Sequence, residues 1–148
     1  MNFLVNLDVD DLDAAIAFYV AAFGLEVGRR LGPTGAELLG GPAPIYLLEK
    51  PAGTPASEHA PQQRSYQRHW TPVHLDVVVD DIDSAVRQAV TAGAQLEAAV
   101  TVHPWGKLAL MADPFGHGFC FVQLSAQGYD AIADERTTSK GQRGAETA

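Results

Sequence analysis

Cysteine is nearly absent from this sequence, in which Cys120 stands alone. A single cysteine excludes an internal disulfide and argues against a structural zinc site of the multi-cysteine kind. Long apolar runs are missing too, because no stretch approaches the roughly 18 apolar residues of a membrane span. Residues 1–6 also lack the basic start of a signal peptide. We therefore expect a cytoplasmic protein that does not bind membranes.

Positive charge is scarce. The chain has 10 Lys and Arg residues against 18 Asp and Glu residues, which gives a formal net charge of −8. Because this charge repels phosphate backbones and no basic cluster interrupts it, nucleic acid is not expected as a partner. The acidity serves solubility or attracts a cationic small molecule. The 148 residues fit one compact domain, or two small halves that share one core.

A repeat organises what is present. Residues 74–93 repeat the pattern of residues 4–24 at an offset of about 70 positions. The matching positions of the two copies are Asp10, Asp11, Leu12, Asp13, Ala15 and Ile16 in the first, and Asp80, Asp81, Ile82, Asp83, Ala85 and Val86 in the second. Each copy reads as a strand, a cap and a helix, so the chain is predicted to contain one unit twice.

The first unit is predicted to span residues 3–49. Alternation in residues 3–9 places Val5, Leu7 and Val9 on one face of a strand and Leu4, Asn6 and Asp8 on the other. Asp10 or Asp11 then caps a helix that ends at Gly24. Short apolar runs between glycine and proline turns predict three further strands, at residues 25–31, 36–39 and 44–49.

The second unit is predicted to span residues 73–124 with the same plan. It has a strand at 73–79, a helix at 82–92, and strands at 96–102, 107–112 and 118–124. Residues 50–72, rich in proline and polar residues, form the connector. Residues 1–125 thus make one domain, and residues 126–148 form a C-terminal extension. The last part of this extension, residues 136–148, is expected to be disordered.

The doubled unit resembles the vicinal oxygen chelate superfamily. The resemblance rests on Asp-Leu-Asp at 11–13, Asp-Ile-Asp at 81–83, Phe18-Tyr19, and the turn Asp113-Pro114-Phe115-Gly116. This superfamily includes glyoxalase I, extradiol dioxygenases, fosfomycin-resistance enzymes and bleomycin-binding proteins. It implies an α+β fold in which two βαβββ units form curved mixed sheets around a cleft, often completed in a homodimer.

The same resemblance implies where a metal would bind. Family members use a His or Gln early in the first strand of each unit and a Glu in each last strand. The matching positions here are His74, Leu4, Cys120 and Tyr46, and of these only His74 is a usual ligand. We therefore expect no catalytic metal and no cofactor. The alternative is a divalent zinc, nickel, iron or manganese ion held by His74 and Cys120 with Glu49 or a residue of a partner chain.

Alternation along the strands places His74, Asp76, Asn6, Tyr46 and Cys120 on the cleft side. His74 is the candidate acid or base, and Asp76 either orients it or anchors a cationic ligand. Cys120 has two readings, a nucleophile or an inert buried thiol, and the second is favoured.

Two tryptophans in predicted loops, Trp70 and Trp105, complete the predicted ligand-binding set. Aromatic side chains in such positions stack on planar ligands, although covering a sheet end or forming a dimer contact explains them equally well.

The resemblance, together with the missing metal ligands, implies a drug-binding or metabolite-binding protein, in the manner of antibiotic-resistance members of the family. Its ligand is expected to be cationic or planar and aromatic, and the protein is expected to be a homodimer. The first alternative is a metal-dependent lyase, isomerase or oxygenase of the glyoxalase or dioxygenase type that uses His74. A second alternative is an enzyme without metal in which His74 and Asp76 transfer protons.

Overall fold

The computed structural model describes residues 1–134 and contains the repeated unit twice, with three strands after the helix in the first copy and four in the second. The elements of the first unit are β1 Val5–Val9, α1 Leu12–Phe23, β2 Glu26–Arg30, β3 Gly35–Leu39 and β4 Ile45–Glu49, with a 3-10 turn at Gly32–Thr34. Those of the second unit are β5 Leu75–Val78, α2 Ile82–Ala92, β6 Gln95–Leu96, β7 Thr101–His103, β8 Gly106–Ala112 and β9 Gly118–Leu124.

Each unit builds its own mixed sheet. The first has the strand order β1-β4-β3-β2, and the second has the order β5-β9-β8-β6, with β7 also paired to β8. The first strand of each unit runs parallel to the last one, and the other pairs are antiparallel. This arrangement confirms the predicted α+β fold with two βαβββ units.

The strand predicted at residues 96–102 is wrong, because it is two short strands. Leu96 pairs with Met111 and Thr101 pairs with Leu108. Residues 97–100 therefore lie opposite only Ala109 and Leu110, so the extra residues must leave the ladder, as in a large bulge.

The two helices begin in the same way. Asp11 is the N-cap of α1 and accepts a hydrogen bond from Ala14 N at 2.9 Å, whereas Asp81 caps α2 by accepting from Asp83 N and Ser84 N. Each helix ends at a glycine in the left-handed region, Gly24 or Gly93. The sequence left the first cap open between Asp10 and Asp11, and the structure assigns it to Asp11.

The last strand of each unit supports the same helix start. Glu49 Oε2 accepts a hydrogen bond from Leu12 N at 3.0 Å, and Gln123 Oε1 accepts one from Ile82 N at 3.0 Å. These backbone N–H groups lack partners within their helices, so a side-chain acceptor satisfies each of them.

The units share one apolar core, in which α1 packs against α2 and against both sheets. Phe23 at the end of α1 makes edge contacts with Phe119 and Phe121 of β9, at centroid distances of 5.2 and 6.0 Å. The buried hydroxyl of Tyr19 donates to Asp113 Oδ2 at 2.5 Å. The helix of the first unit is thus joined to the second unit within one chain.

The connector ties both units together. Arg64 forms an ion pair with Asp8 of β1 at 2.6 Å, and Arg68 forms one with Glu97 beyond β6, also at 2.6 Å. Gly116 accepts a hydrogen bond from His69 N at 3.2 Å and has a φ of +87°, which a residue with a side chain rarely adopts.

After β9, Gly128–Ala131 form a short 3-10 helical turn. The C-terminal part of the extension that was predicted to be disordered lies outside the described residues. No helix within residues 1–134 is long and apolar enough to cross a membrane.

Candidate functional site

Each sheet has one face on the helices and one face turned away from them, which we call the open face. Leu75 and Val77 of β5 pack against the core, so the alternating residue Asp76 lies on the open face. Asp76 pairs across the ladder with Cys120, which pairs with Leu110. In the first unit the corresponding row is Asn6, Tyr46 and Glu37.

Three polar side chains of the second unit meet on this face, and we call His74, Asp76 and Cys120 the second-unit cluster. His74 Nε2 lies 3.2 Å from Asp76 Oδ1, and the nearest ligand atoms of all three residues lie within 4.8 Å of one another. His74 and Asp76 are about half exposed, whereas Cys120 is buried. The predicted association of His74 with Asp76 therefore corresponds to a direct contact.

The Cys120 thiol is kept protonated. Burial, with a smaller contribution from the carboxylate of Asp76 beside it, raises the pKa of Cys120 to about 11. The thiolate is the nucleophile in cysteine chemistry, and a thiol with this pKa is almost entirely neutral near pH 7. This environment is that of an inert thiol rather than an activated one.

Two cavities border His74. The larger, of about 370 Å³, lies between β1 and β5, and it is lined by Asn6, Asp8, His69, Thr71, His74 and His117 above apolar side chains of the core. His69 and His117 are wall residues that the sequence reasoning missed, because the connector and the turn after β8 meet only in three dimensions. His117 Nε2 donates to the carbonyl of Asp8 at 2.8 Å. This cavity thus joins both units.

The smaller cavity, of about 170 Å³, lies over the second sheet. Its walls include Cys120, His74 and the connector residues Arg68 and Trp70. The Arg68 guanidinium lies over Gly118, where a Cβ atom would come within 2.6 Å of Arg68 Nη2. The ion pair of Arg68 with Glu97 therefore holds the connector against the sheet. Trp70 is 79% exposed and presents an indole ring beside the second-unit cluster.

The first unit carries a different set on its open face, and we call Arg29, Glu37 and Tyr46 the first-unit cluster. Arg29 Nε and Nη2 donate to the two carboxylate oxygens of Glu37 at 2.8 and 2.6 Å. The hydroxyl of Tyr46 donates to Glu37 Oε1 at 2.7 Å. The hydrogen bonds from Arg29, and then that from Tyr46, lower the pKa of Glu37 to about 2, and the same carboxylate raises the pKa of Tyr46.

Sequence reasoning predicted Tyr46 but missed Arg29 and Glu37. A usable signal existed, because Glu37 stands between Ala36 and Leu38 in a strand that was otherwise apolar. Both neighbours are fully buried, which places Glu37 on the other face. A lone carboxylate in such a strand needs a partner, and that partner is Arg29 of the adjacent strand.

Two predicted residues lie elsewhere. Trp105 stacks on His103 at the β7–β8 turn, with ring centroids 4.7 Å apart and an interplanar angle of 2°, and it also contacts Tyr129. It is not a wall residue of either cavity beside His74. Glu49 accepts a hydrogen bond from Leu12 N at the start of α1, and it does not lie close enough to His74 and Cys120 to share a metal ion with them. The third donor beside those two is Asp76.

A divalent metal is implied by the resemblance, and the second-unit cluster provides one imidazole, one carboxylate and one thiol for it. This mixture of nitrogen, oxygen and sulfur donors suits zinc, and within residues 1–134 it is the group of at least three such donors that lies close enough to share an ion. The first unit adds no usual metal ligand at the matching positions, because Leu4 has no donor atom and the Tyr46 hydroxyl donates a hydrogen bond to Glu37. The donors fit a three-ligand site confined to the second unit.

Comparison with known proteins places this geometry in a family. Residues 4–122 match the glyoxalase-like domain. The uncharacterized protein Mb0911c of Mycobacterium bovis is 34% identical over 119 residues, which cover 76% of each chain. The anthracycline biosynthesis protein DnrV of Streptomyces peucetius is 33% identical over 131 residues, which cover 87% of this chain but 43% of DnrV.

A solved structure gives the same result for the fold. TioX from Micromonospora sp. ML1 superposes with a TM-score of 0.65 at 22% identity, covering 84% of this chain and 99% of TioX. The doubled βαβββ unit, the match over residues 4–122 and these relatives agree. The chain therefore belongs to the glyoxalase-like domain family of the vicinal oxygen chelate superfamily.

Proposed function

We propose that this protein binds a small organic molecule, cationic or planar and aromatic, on the open face of the second unit, and that binding needs no catalytic metal. The observation that carries the proposal is that Trp70, His74 and Cys120 line one cavity, and that Asp76 lies directly beside it, in contact with His74. An exposed indole offers a stacking surface for a planar ring. The Asp76 carboxylate, about half exposed, offers a charge-assisted hydrogen bond to a cationic group.

The ligand class follows from these groups and from the acidity of the chain. A net charge of −8 raises the local concentration of cations around the protein. One relative is an anthracycline biosynthesis protein, which favours testing polycyclic aromatic compounds first. Sequestration of a planar drug is the biological role that such binding would support, and antibiotic resistance would be its consequence.

Calorimetric titration with 9-aminoacridine, a planar cation, tests the proposal on metal-stripped protein. We expect saturable binding, and we expect Asp76→Asn to weaken it by about tenfold, because a charge-assisted hydrogen bond becomes a neutral one. Asp83→Asn makes the same change of net charge at an exposed position of α2 and should leave the affinity unchanged. Absence of binding, or equal effects of both substitutions, would contradict the proposal.

A metal-dependent activity is the second candidate, favoured by the three donors of the second-unit cluster. A divalent zinc, nickel, iron or manganese ion bound there would act as a Lewis acid toward a substrate oxygen, as lyase, isomerase or oxygenase chemistry requires. His74 would be the central ligand. Metal analysis of protein purified without chelators decides: near-stoichiometric metal that is lost in His74→Ala supports this candidate, and absence of metal after incubation with these ions refutes it.

Proton transfer by His74 without a metal is a third candidate, favoured by its 3.2 Å contact with Asp76. A carboxylate in this position orients an imidazole for acid or base catalysis. If a substrate screen finds turnover, His74→Ala should abolish it while 9-aminoacridine still binds. Turnover that survives the substitution would exclude this role.

A homodimer completes the proposal. Val73 lines the larger cavity, Leu4 precedes β1 and Val78 ends β5, and these residues are 78%, 54% and 62% exposed. A second copy of the chain would cover such a set of apolar side chains. Sedimentation velocity should therefore give the mass of two chains, and a monomer at micromolar concentration would contradict this part of the proposal.

A further inference from the structure

Glu37 is an unusual residue for its place in the fold. Glu37 and Asp113 are the two buried charged residues in the described part of the chain, each 6% exposed. Asp113 has a structural task, because it accepts hydrogen bonds from Tyr19, from Phe115 N and from His117 N at the turn before β9. Glu37 lies in the middle of β3 and serves no turn or cap. Its partners are Arg29 and Tyr46.

Arg29 uses only part of its donor set to bind Glu37. Its Nε and Nη2 atoms contact the carboxylate, and Nη2 also lies 3.3 Å from the Tyr46 hydroxyl. The Nη1 amino group has no hydrogen-bond partner among residues 1–134, and the side chain is 68% exposed. Because the fork with Glu37 fixes the guanidinium plane, the remaining N–H groups point in a defined direction.

The neighbouring residues leave room for this arrangement. At Gly28 a Cβ atom would come within 2.8 Å of Glu37 Oε2 and 2.9 Å of the Leu39 side chain. A residue larger than glycine would therefore displace the carboxylate that orients Arg29. Arg30, the next residue, points elsewhere and pairs with the exposed Asp13 of α1 at 2.6 Å.

A row of side chains leads from Arg29 to the larger cavity, which shares His74 with the proposed ligand cavity. Tyr46 contacts Arg29 and is the register partner of Asn6. Asn6 and His74 line the same cavity between β1 and β5. Paired residues of neighbouring strands lie about 5 Å apart, so Glu37 and its partner Arg29 lie about two strand spacings from Asn6 along this row.

We infer that Arg29, positioned by Glu37 and Tyr46, recognises a carboxylate or similar oxygen anion at one end of the ligand. This inference rests on the proposed function and narrows its ligand class to planar aromatic molecules that carry an acidic group. The second-unit cluster and Trp70 bind the ring system, and the first-unit cluster binds the acid. Arginine suits this task because it carries five N–H donors, and the Nη1 group of Arg29 is left to donate to a second oxygen anion.

A matched pair of probes tests the inference: 9-aminoacridine-4-carboxylate and the corresponding 4-carboxamide. Although the chain is acidic, we expect the wild-type protein to bind the carboxylate about tenfold more tightly than the amide. The double variant Arg29→Met with Glu37→Gln leaves no unpaired charge and should lose this preference. Arg30→Met removes the neighbouring arginine and should keep it. A preference that is absent in the wild type, or that survives in the double variant, overturns the inference.

A second measurement separates this inference from the proposed function. If neither acridine binds the wild-type protein, the proposed function fails. The Arg29 Nε–H signal, assigned by its loss in the double variant, is then followed by nuclear magnetic resonance during titration with benzoate. A saturable shift with benzoate but not with benzamide supports anion recognition by Arg29. No shift at Arg29 overturns it.

Discussion

In both units an aspartate caps the helix, a glycine ends it, and a side chain of the last strand accepts a hydrogen bond from the first helical N–H group. On the open faces this equivalence ends. The row of Asn6, Tyr46 and Glu37 in the first unit corresponds to Asp76, Cys120 and Leu110 in the second. Residues that fix the fold are thus similar in the two copies, whereas residues on the open faces differ.

Even the divergent rows share one physical feature. Tyr46 and Cys120 occupy equivalent places in the last strands, and each lies beside a carboxylate that raises its pKa, Glu37 or Asp76. In the first unit Arg29 neutralises the carboxylate, whereas in the second unit His74 is its neighbour. The first-unit cluster is therefore an ion pair in which the Nη1 group of Arg29 has no partner among residues 1–134. In the second-unit cluster the imidazole and the carboxylate are about half exposed.

The largest effect is expected from the equivalent core residues Leu12 and Ile82, which are 2% and 0% exposed. Leu12→Ala and Ile82→Ala should each lower the free energy of unfolding by about 2–5 kcal/mol, because a cavity replaces the side chain. Since the units share a core, urea unfolding followed by fluorescence and by circular dichroism should show one coincident transition in each variant. Separate transitions would show that the units fold independently.

The second effect concerns Cys120. The pKa of the Cys120 thiol is raised to about 11 in the folded protein. At pH 8 each unit of increase in the pKa lowers the thiolate fraction about tenfold, so the folded protein should react with iodoacetamide roughly 100-fold more slowly than the same protein unfolded in urea. Mass spectrometry of timed samples measures the rates. Equal rates in the two states would show that burial and Asp76 do not protect the thiol.

The third effect is a difference in the stability lost when Glu49 or its counterpart Gln123 is replaced by alanine. Glu49→Ala removes a charged acceptor of a helix N–H group and should cost about 1.5–3 kcal/mol, whereas Gln123→Ala removes a neutral one and should cost about 0.5–1.5 kcal/mol. Urea midpoints measure both costs. Glu49→Gln serves as the control and should recover part of the loss. If Gln123→Ala were the more damaging change, the charge would not matter at this position.

The smallest effect is a pH dependence of the first-unit cluster. The pKa of Glu37 is lowered to about 2 in the folded protein, so its stabilising contribution is complete above about pH 4.5 and is lost as the pH falls toward 2. Stability measured by urea unfolding between pH 6 and pH 2.5 should fall less steeply in the Arg29→Met, Glu37→Gln double variant than in the wild type. Identical slopes would mean that this ion pair does not contribute.

The repeat made the fold predictable, because caps, helix stripes and strand alternation are local signals. The sequence did not show that the strand predicted at residues 96–102 divides in two. The division arises because residues 97–100 lie opposite only two residues of β8, and this mismatch is visible only in the strand pairing. Alternation also placed Asn6, Tyr46, Asp76 and Cys120 on the correct face. Whether these residues bind a ligand remains a prediction.

The missed parts of the site depend on contacts between distant segments. Arg29 was not foreseen because the register of β2 shifts between Val27 and Arg30, so sequence spacing does not show that it meets Glu37. Trp70 and Trp105 gave the same signal, an aromatic residue in a loop. Only the tertiary contacts separate them, because Arg68 holds the connector beside His74 and Tyr129 covers Trp105.

Mapping 9-aminoacridine on metal-stripped protein by amide and indole nuclear magnetic resonance tests whether a planar cation binds beside the second-unit cluster, because Trp70 and Trp105 provide two separate indole signals. We expect saturable shifts of the Trp70 indole and of the amides of His74, Asp76 and Gly118, with the Trp105 indole unchanged. Absence of binding, or shifts confined to Trp105 and Tyr129, would contradict this expectation.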